Sequence, residues 1–284
     1  MANAYISLSV FKASAGLDIS GTAYDTRLRS LIENVSREVD NFCERIFYYT
    51  VETRLFDGTG KTSFNLPDLI AIPGSGLKED ENNDGTFETV WGTSDFLYAP
   101  YNATPTSTSG RARPYTKLLV NTKSNGTQDS FVRGQQNYEI TGTWGFSRVL
   151  IAVLGTNVAS IDSTMTTMTL SASGTVGIGD TYVIDNEQVY ITGTGTGSNL
   201  TLERGSNFTV ATAHTASAVV SHVIYPGPIQ EAVLIQSARL WKRRDSGFAS
   251  QVGLPETGQF VIFSGGLDKD VKQLLSEYVI YRVG

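Results

Sequence analysis

Apolar residues recur at three- and four-residue steps through Leu28, Leu31, Ile32, Val35, Val39, Phe42, Ile46 and Phe47, and the positions between them are largely Arg, Glu, Asn and Asp. That spacing predicts a helix with one buried face. Ahead of it, Leu8, Val10 and Phe11 predict a short helix ending near Gly16. On the outer side of the long helix, Glu33 with Arg37 and Asn41 with Arg45 stand four residues apart. Such pairs contribute about 0.2–0.5 kcal/mol each, so burial of the apolar face decides where the helix sits.

After Tyr49 the period shortens to two. Val51, Thr53 and Leu55 share one side of a strand and Glu52, Arg54 and Phe56 the other, followed by a turn from Asp57 to Gly60 and by Phe64 and Leu66 before Pro67. Further strands are expected at Phe87 to Trp91, Phe96 to Tyr98, Tyr115 to Val120 and Tyr138 to Trp144, with an exposed Thr-, Ser-, Pro- and Gly-rich loop from Asn102 to Pro114.

The pattern then changes character. From Leu150 to His222 there is no Lys, Pro, Trp or Cys, and Thr, Ser and Gly alternate with single apolar residues. Short half-buried strands follow from that alternation at Thr167 to Leu170, Thr181 to Ile184, Gln188 to Thr192, Leu200 to Glu203 and Val219 to His222, with turns at Asp185 to Glu187 and Gly193 to Ser198. Helical periodicity returns after Pro228, where Glu231 lies in the first turn and Lys242, Arg243 and Arg244 in the last, complementing the helix dipole, and Gly247 ends the run. A last helix carries Leu267, Val271, Leu274, Leu275 and Tyr278 on one face behind Gly265-Gly266. The expected fold class is α+β: a helical core with a small antiparallel sheet, built from 1–149 and 223–284, interrupted at 150–222 by an inserted all-β domain, sandwich or barrel-like.

With 284 residues, 40% hydrophobic and 18% charged, the chain is expected to fold into two domains and is not of disordered composition. Lys12 interrupts the only apolar stretch near the N-terminus and no later run reaches spanning length, so neither a signal peptide nor a membrane partner is expected, and the compartment reads as cytoplasm-like. The single cysteine, Cys43, excludes an internal disulfide and a cysteine-based zinc site and reads as a small buried hydrophobe. A net charge of -6 argues against a broad basic nucleic-acid surface and suits one past which DNA moves without sticking.

Candidate chemistry is sparse. Asp80, Asn82, Asp84 and Gly85 begin like a calcium loop, yet the twelfth position is Trp91 where a bidentate Glu is needed and the flanks read as strands, so a hairpin tip is the preferred reading. Gly193, Gly195 and Gly197 lack the Gly-Lys-Ser/Thr of a phosphate loop. His214 and His222 can be grouped on paper with Ser217, Ser221, Asp162 and Asp180, but no nucleophile elbow accompanies them. Glu79 and Glu81 fall in a polar loop without the apolar pocket that would set their acidities apart. No catalytic residue, cofactor or metal site is assigned.

Two surfaces remain as candidate interfaces. Arg239, Lys242, Arg243 and Arg244 form a basic stripe beside Trp241, an aromatic of the kind that concentrates binding energy; the competing reading is a solvated helix end. Leu274, Leu275, Tyr278 and Tyr281 can dock in a groove of another protein or on their own domain.

With the insert removed, the helix ending in Cys43-Glu44-Arg45-Ile46-Phe47, the Phe56-Asp57-Gly58 turn, Thr143-Trp144-Gly145-Phe146 and the helix after Pro228 follow in an order that resembles the head-tail connector, or adaptor, proteins of tailed bacteriophages. The insert, with GDTYVIDNEQVYITG followed by LERGSNFTVATAHTA, looks like a β module of phage structural proteins and departs from simpler members of the family. The resemblance implies a structural virion protein that forms a homo-oligomeric ring of about a dozen copies beneath the portal protein at the head-tail vertex. It would be assembled in the host cytoplasm, contact the tail or next connector protein, and let DNA pass transiently through its lumen. The alternative is a tail- or baseplate-associated module whose β insert contacts another virion protein or a host-surface glycan; the insert's few aromatics, Tyr182, Tyr190 and Phe208, speak against the glycan.

Overall fold

The computed structural model describes residues 3–14, 17, 19–108, 112–123, 126–156, 159–171, 176–195, 198–244, 251–254, 259–262 and 266–280, and of 152–156, 251–254 and 259–262 the backbone alone. It divides into two compact units. One comprises Met1–Arg45, Ala152–Ser206 and Ala211–Gly284, the other Ile46–Ile151 and Asn207–Val210.

In the first unit, helix α1 (Leu8–Ala13) is capped by the Ser7 hydroxyl, which accepts from Val10 N. Helix α2 (Asp25–Cys43) forms where the apolar period predicts it, with Leu28, Ile32, Val35, Val39 and Cys43 buried. It ends earlier than the spacing suggests. Glu44 turns into the left-handed region at φ 53° and its N–H returns to Asp40 O, so Ile46 and Phe47 fall past the helix end. The outer charges also pair differently from expectation: Glu33 meets Arg29 at 3.5 Å and Arg37 meets Asp40 at 3.0 Å.

The same unit holds a six-stranded sheet. Its strands are β8 (Val149–Thr156), which begins in the other unit's span, β9 (Thr167–Thr169), β10 (Thr181–Ile184), β11 (Glu187–Thr194), β12 (Asn199–Glu203) and β13 (Val219–Ile224), in the order β8-β13-β10-β11-β12-β9. Every residue of β10 and the first five of β11 are buried. One face carries Tyr182, Ile184, Val189, Ile191, Leu200 and Leu202 into an apolar core. The other meets the N-terminal segment and α2: Leu8 N donates to Ile178 O at 2.7 Å, and the Tyr190 hydroxyl donates to Glu33 Oε1 at 2.7 Å. Gly177 is required there, because a Cβ on it would come within 2.4 Å of Ser7 Cβ. Helix α3 (Gly227–Arg243) packs on α2, and α4 (Lys269–Leu275) packs on α3. A two-stranded ribbon, β14 (Gln251–Leu254) with β15 (Gln259–Ile262), completes the unit.

The second unit is a seven-stranded antiparallel sheet of β1 (Thr50–Gly58), β2 (Ser63–Ala71), β3 (Leu77–Glu79), β4 (Thr89–Trp91), β5 (Phe96–Ala99), β6 (Tyr115–Val120) and β7 (Gly134–Trp144). The path runs β4-β3-β7-β2-β6-β5. Trp144 is paired with both Thr50 and Leu69, and Ile140 with both Arg54 and Leu77. A residue in a ladder has only two sides, so β2 and β3 share one side of β7 and β1 takes the other. Strand β2 passes through Pro67, where the sequence predicts an end; the proline sits inside the register shift between Asn65 and Leu69, where no ladder hydrogen bond is needed. Phe64, Trp91, Phe131, Tyr138 and Trp144 pack as a continuous aromatic core, with Trp91 stacked on Phe131 at 4.8 Å.

A helical core with a small sheet is therefore not what this chain forms. The structure is mostly β, in two antiparallel sheets of seven and six strands. The helices share a unit with the strands of 150–222, and the larger sheet stands as a unit of its own. Strong 3.6-residue periodicity made the helices prominent in sequence, whereas three-residue strands such as β3 leave almost no pattern. The six-stranded sheet is also open at β8 and β9 among the described residues, where a sandwich or barrel was expected.

Candidate assembly interface

The basic end of α3 is built into its own unit to different degrees. Trp241 is buried, with its ring edge-on to Tyr24 at 5.4 Å. Arg244 lies 3.8 Å over the Trp241 ring and 5.3 Å over that of Tyr24, which keeps half of its surface in solvent. Arg239 forms an ion pair with Asp268, the N-cap of α4. Gln236 completes that junction, donating to Gly266 O and accepting from Asp268 N. Lys242 is exposed and Arg243 partly so. Charge reversal at Arg239 would thus place a carboxylate against Asp268 and test helix packing along with any interface; Lys242 is the position whose reversal leaves the helix contacts intact.

The C-terminal residues divide similarly. Val271 and Leu275 are fully buried, Leu274 and Tyr278 are partly exposed, and Ile280 N donates to Cys43 O at 3.0 Å. Tyr281 lies outside the described residues. Cys43 is fully buried, and burial pushes its thiol up to about 12, in keeping with a packing role.

The residues that sequence reasoning missed lie at the base of the loop from Arg204 to His214. Glu187, read as a turn residue, is buried at the start of β11. Its Oε1 accepts from Arg204 Nε at 2.7 Å and Gly205 N at 2.9 Å, and its Oε2 from Arg204 Nη2 at 2.8 Å and Thr212 N at 2.9 Å. His214 Nε2 lies 2.9 Å from Oε2, and its Nδ1 lies 2.8 Å from Asp185 Oδ2. Burial alone would raise the Glu187 carboxyl, but the hydrogen bonds from Arg204, Thr212, Gly205 and His214 outweigh it and hold the group down to about 2. One carboxylate so grips both ends of the loop. Between those ends, Phe208 is 60% exposed and Val210 76% exposed, and Phe208 occupies the left-handed region at φ 64°. For a bulky side chain that backbone costs on the order of 1–3 kcal/mol.

The remaining candidate groups take structural places. His222 Nε2 stands 3.5 Å from Asp180 Oδ1 beside a cavity of about 150 Å³ that Ser7 and Tyr225 also line, and the two histidines belong to separate clusters. Among the described residues neither histidine has a serine hydroxyl as hydrogen-bond partner. Asp162 Oδ1 accepts from Thr164 N and Met165 N, closing a turn. The Asp80 turn is a hairpin tip: Asp80 accepts from Asn83 N at 2.6 Å and from Gly85 N at 2.7 Å, with Gly85 at φ 90°. Asp84 and Glu88 bring their carboxylate oxygens to within 4.8 Å of that of Asp80. Glu79 corrects a further expectation. It lies in the apolar core, where its Oε2 accepts from Trp91 Nε1 at 2.8 Å, and burial together with this carboxylate raises the Tyr138 hydroxyl.

Comparison with models of protein families, with curated proteins and with solved structures returns no match for this chain.

Proposed function

We propose that the chain is a structural virion protein of a tailed bacteriophage, one of about a dozen copies in a ring beneath the portal that joins head to tail and surrounds the exiting DNA. The observation that carries an assembly role is the loop tip. Phe208 is 60% and Val210 76% exposed, and Phe208 holds a left-handed backbone at φ 64°, so a neighbour that covers those apolar side chains would gain their burial. The resemblance to connector proteins supplies the identity of the neighbours, namely further copies, the portal and the next tail protein. The turns and clamps that absorb the clustered carboxylates favour a structural over a catalytic role.

Native mass spectrometry of the chain alone and with the portal ring of the same virus is expected to show portal plus about a dozen copies. Phe208→Gly relieves the left-handed strain, so its unfolding midpoint should equal or exceed the native one. Its assembly should nonetheless weaken roughly 10- to 30-fold, the equivalent of losing one buried aromatic contact. A chain that stays monomeric with and without the portal refutes the ring.

A further inference from the structure

We infer that the open edge of β1 receives the β14–β15 ribbon of a second copy as an added strand, so that each subunit is joined to the next by a continuous sheet. This rests on the ring proposed above and names its contact.

The acceptor is a nine-residue strand with one neighbour. Among the described residues β1 pairs with β7 alone, and β2 and β3 occupy the far side of β7, so the outer row of β1 N–H and C=O groups faces away from the sheet. Protected edges carry outward-facing lysines, prolines or mid-strand bulges. β1 has no lysine or proline, and its register shift comes only at its end, between Phe56 and Gly58. Of its three charges, Asp57 lies at that shifted end, where its Oδ1 accepts from Gln136 N, and the other two pair with each other. Arg54 pairs with Glu52 and lies 4.5 Å over the Trp144 ring, on the core face. The opposite face leaves Val51 46% and Leu55 49% exposed.

The donor is on the other unit. β14 and β15 pair with each other from Gln251↔Ile262 to Leu254↔Gln259, and among the described residues no third strand joins them. A two-stranded ribbon is marginal in water and becomes stable when a further strand is added. The stretch from Gln251 to Ile262 carries a single charged residue, Glu256, which belongs to neither strand. Its four-residue strands fit within the nine-residue acceptor edge. Acceptor and donor are different parts of one chain, which makes the contact head-to-tail, and a head-to-tail contact repeats until it closes into a ring. Pairing of β1 with β1 would instead stop at a dimer.

The test uses the full chain with the portal ring, and cysteines placed where the partners should meet. Buried Cys43 leaves the native chain without an accessible thiol. Chains carrying only Thr53→Cys, mixed with chains carrying only Phe260→Cys or only Val261→Cys, should form mixed disulfides in the assembled ring, and neither chain should do so alone. Replacing 251–262 by a short Gly-Ser linker should abolish ring formation with the unfolding midpoint unchanged. A ring of normal mass that gives no mixed disulfide and tolerates the linker overturns the inference and leaves the ring standing. A lowered midpoint in the linker variant places the ribbon in its own subunit and also overturns it, as does a dimer as the sole product. No assembly of the native chain under any condition removes the ring itself.

Discussion

Glu187→Ala is expected to lose about 3–5 kcal/mol of stability, because it leaves the Arg204 guanidinium buried without its carboxylate and frees two backbone N–H groups in the same step. Denaturant unfolding of the variant against the native chain measures it. A loss under about 1 kcal/mol, the range of an exposed pair, would mean that the loop base is held by something else. The same clamp gives the protein an acid limit. A carboxyl held at about 2 when folded and titrating near 4.5 when unfolded binds fewer protons in the folded state. Its contribution is therefore complete above pH 4.5 and falls away as the pH drops toward 2, by about 3 kcal/mol in all. The native chain should lose stability across that window, and Glu187→Ala should show a flatter profile there. Equal slopes in both would count against the clamp.

The second large effect is expected in the seven-stranded unit. Trp91→Phe keeps an aromatic ring against Phe131 and Tyr138 but removes the indole N–H that Glu79 accepts. Loss of a charge-assisted bond to a buried carboxylate, added to the smaller ring, should cost about 3 kcal/mol. Glu79→Met in that background removes the carboxylate that has lost its indole donor, so the double variant should be more stable than Trp91→Phe alone. Simple additivity of the two losses would show that the Trp91–Glu79 bond contributes nothing of its own. This bond explains how a glutamate comes to lie in an aromatic core: the sheet alternation that buries Leu77 also buries Glu79, and Trp91 on the paired strand supplies the donor it then needs.

What the chain reveals before it is folded depends on how far a pattern must extend to be recognised. α2 and α3 were legible because their apolar steps repeat over several turns, and β6 and β10 because each is bounded by turn residues and carries an unbroken alternating or apolar run. β3, with three residues, carries no period, and β8 is an apolar run placed at the expected boundary between core and insert, where it was divided and lost. The grouping of elements was the larger miss. Nothing in the periodicity of α2 shows that its partner is Tyr190, 157 residues away from Glu33. The clamp escaped for a related reason: Glu187, Arg204 and His214 stand 17 and 10 residues apart and form no motif, and the pairing of β11 with β12, together with the bridge of His214 to Ile161, gathers them. By contrast the calcium-like run from Asp80 to Gly85, conspicuous in sequence, closes the hairpin between β3 and β4, with Asp80 accepting from Asn83 N and Gly85 N.

The burial of β10 and β11 on both faces changes what the stretch from 150 to 222 is. Strands covered by α2 on one side and by their own core on the other are interior for the helices as much as for themselves. Cutting the stretch out and rejoining the flanks would remove the Tyr190 hydroxyl that Glu33 of α2 accepts from and the Ile178 carbonyl that Leu8 N meets. The segment that sequence presents as an addition is, in three dimensions, a surface against which the N-terminal segment and α2 are laid.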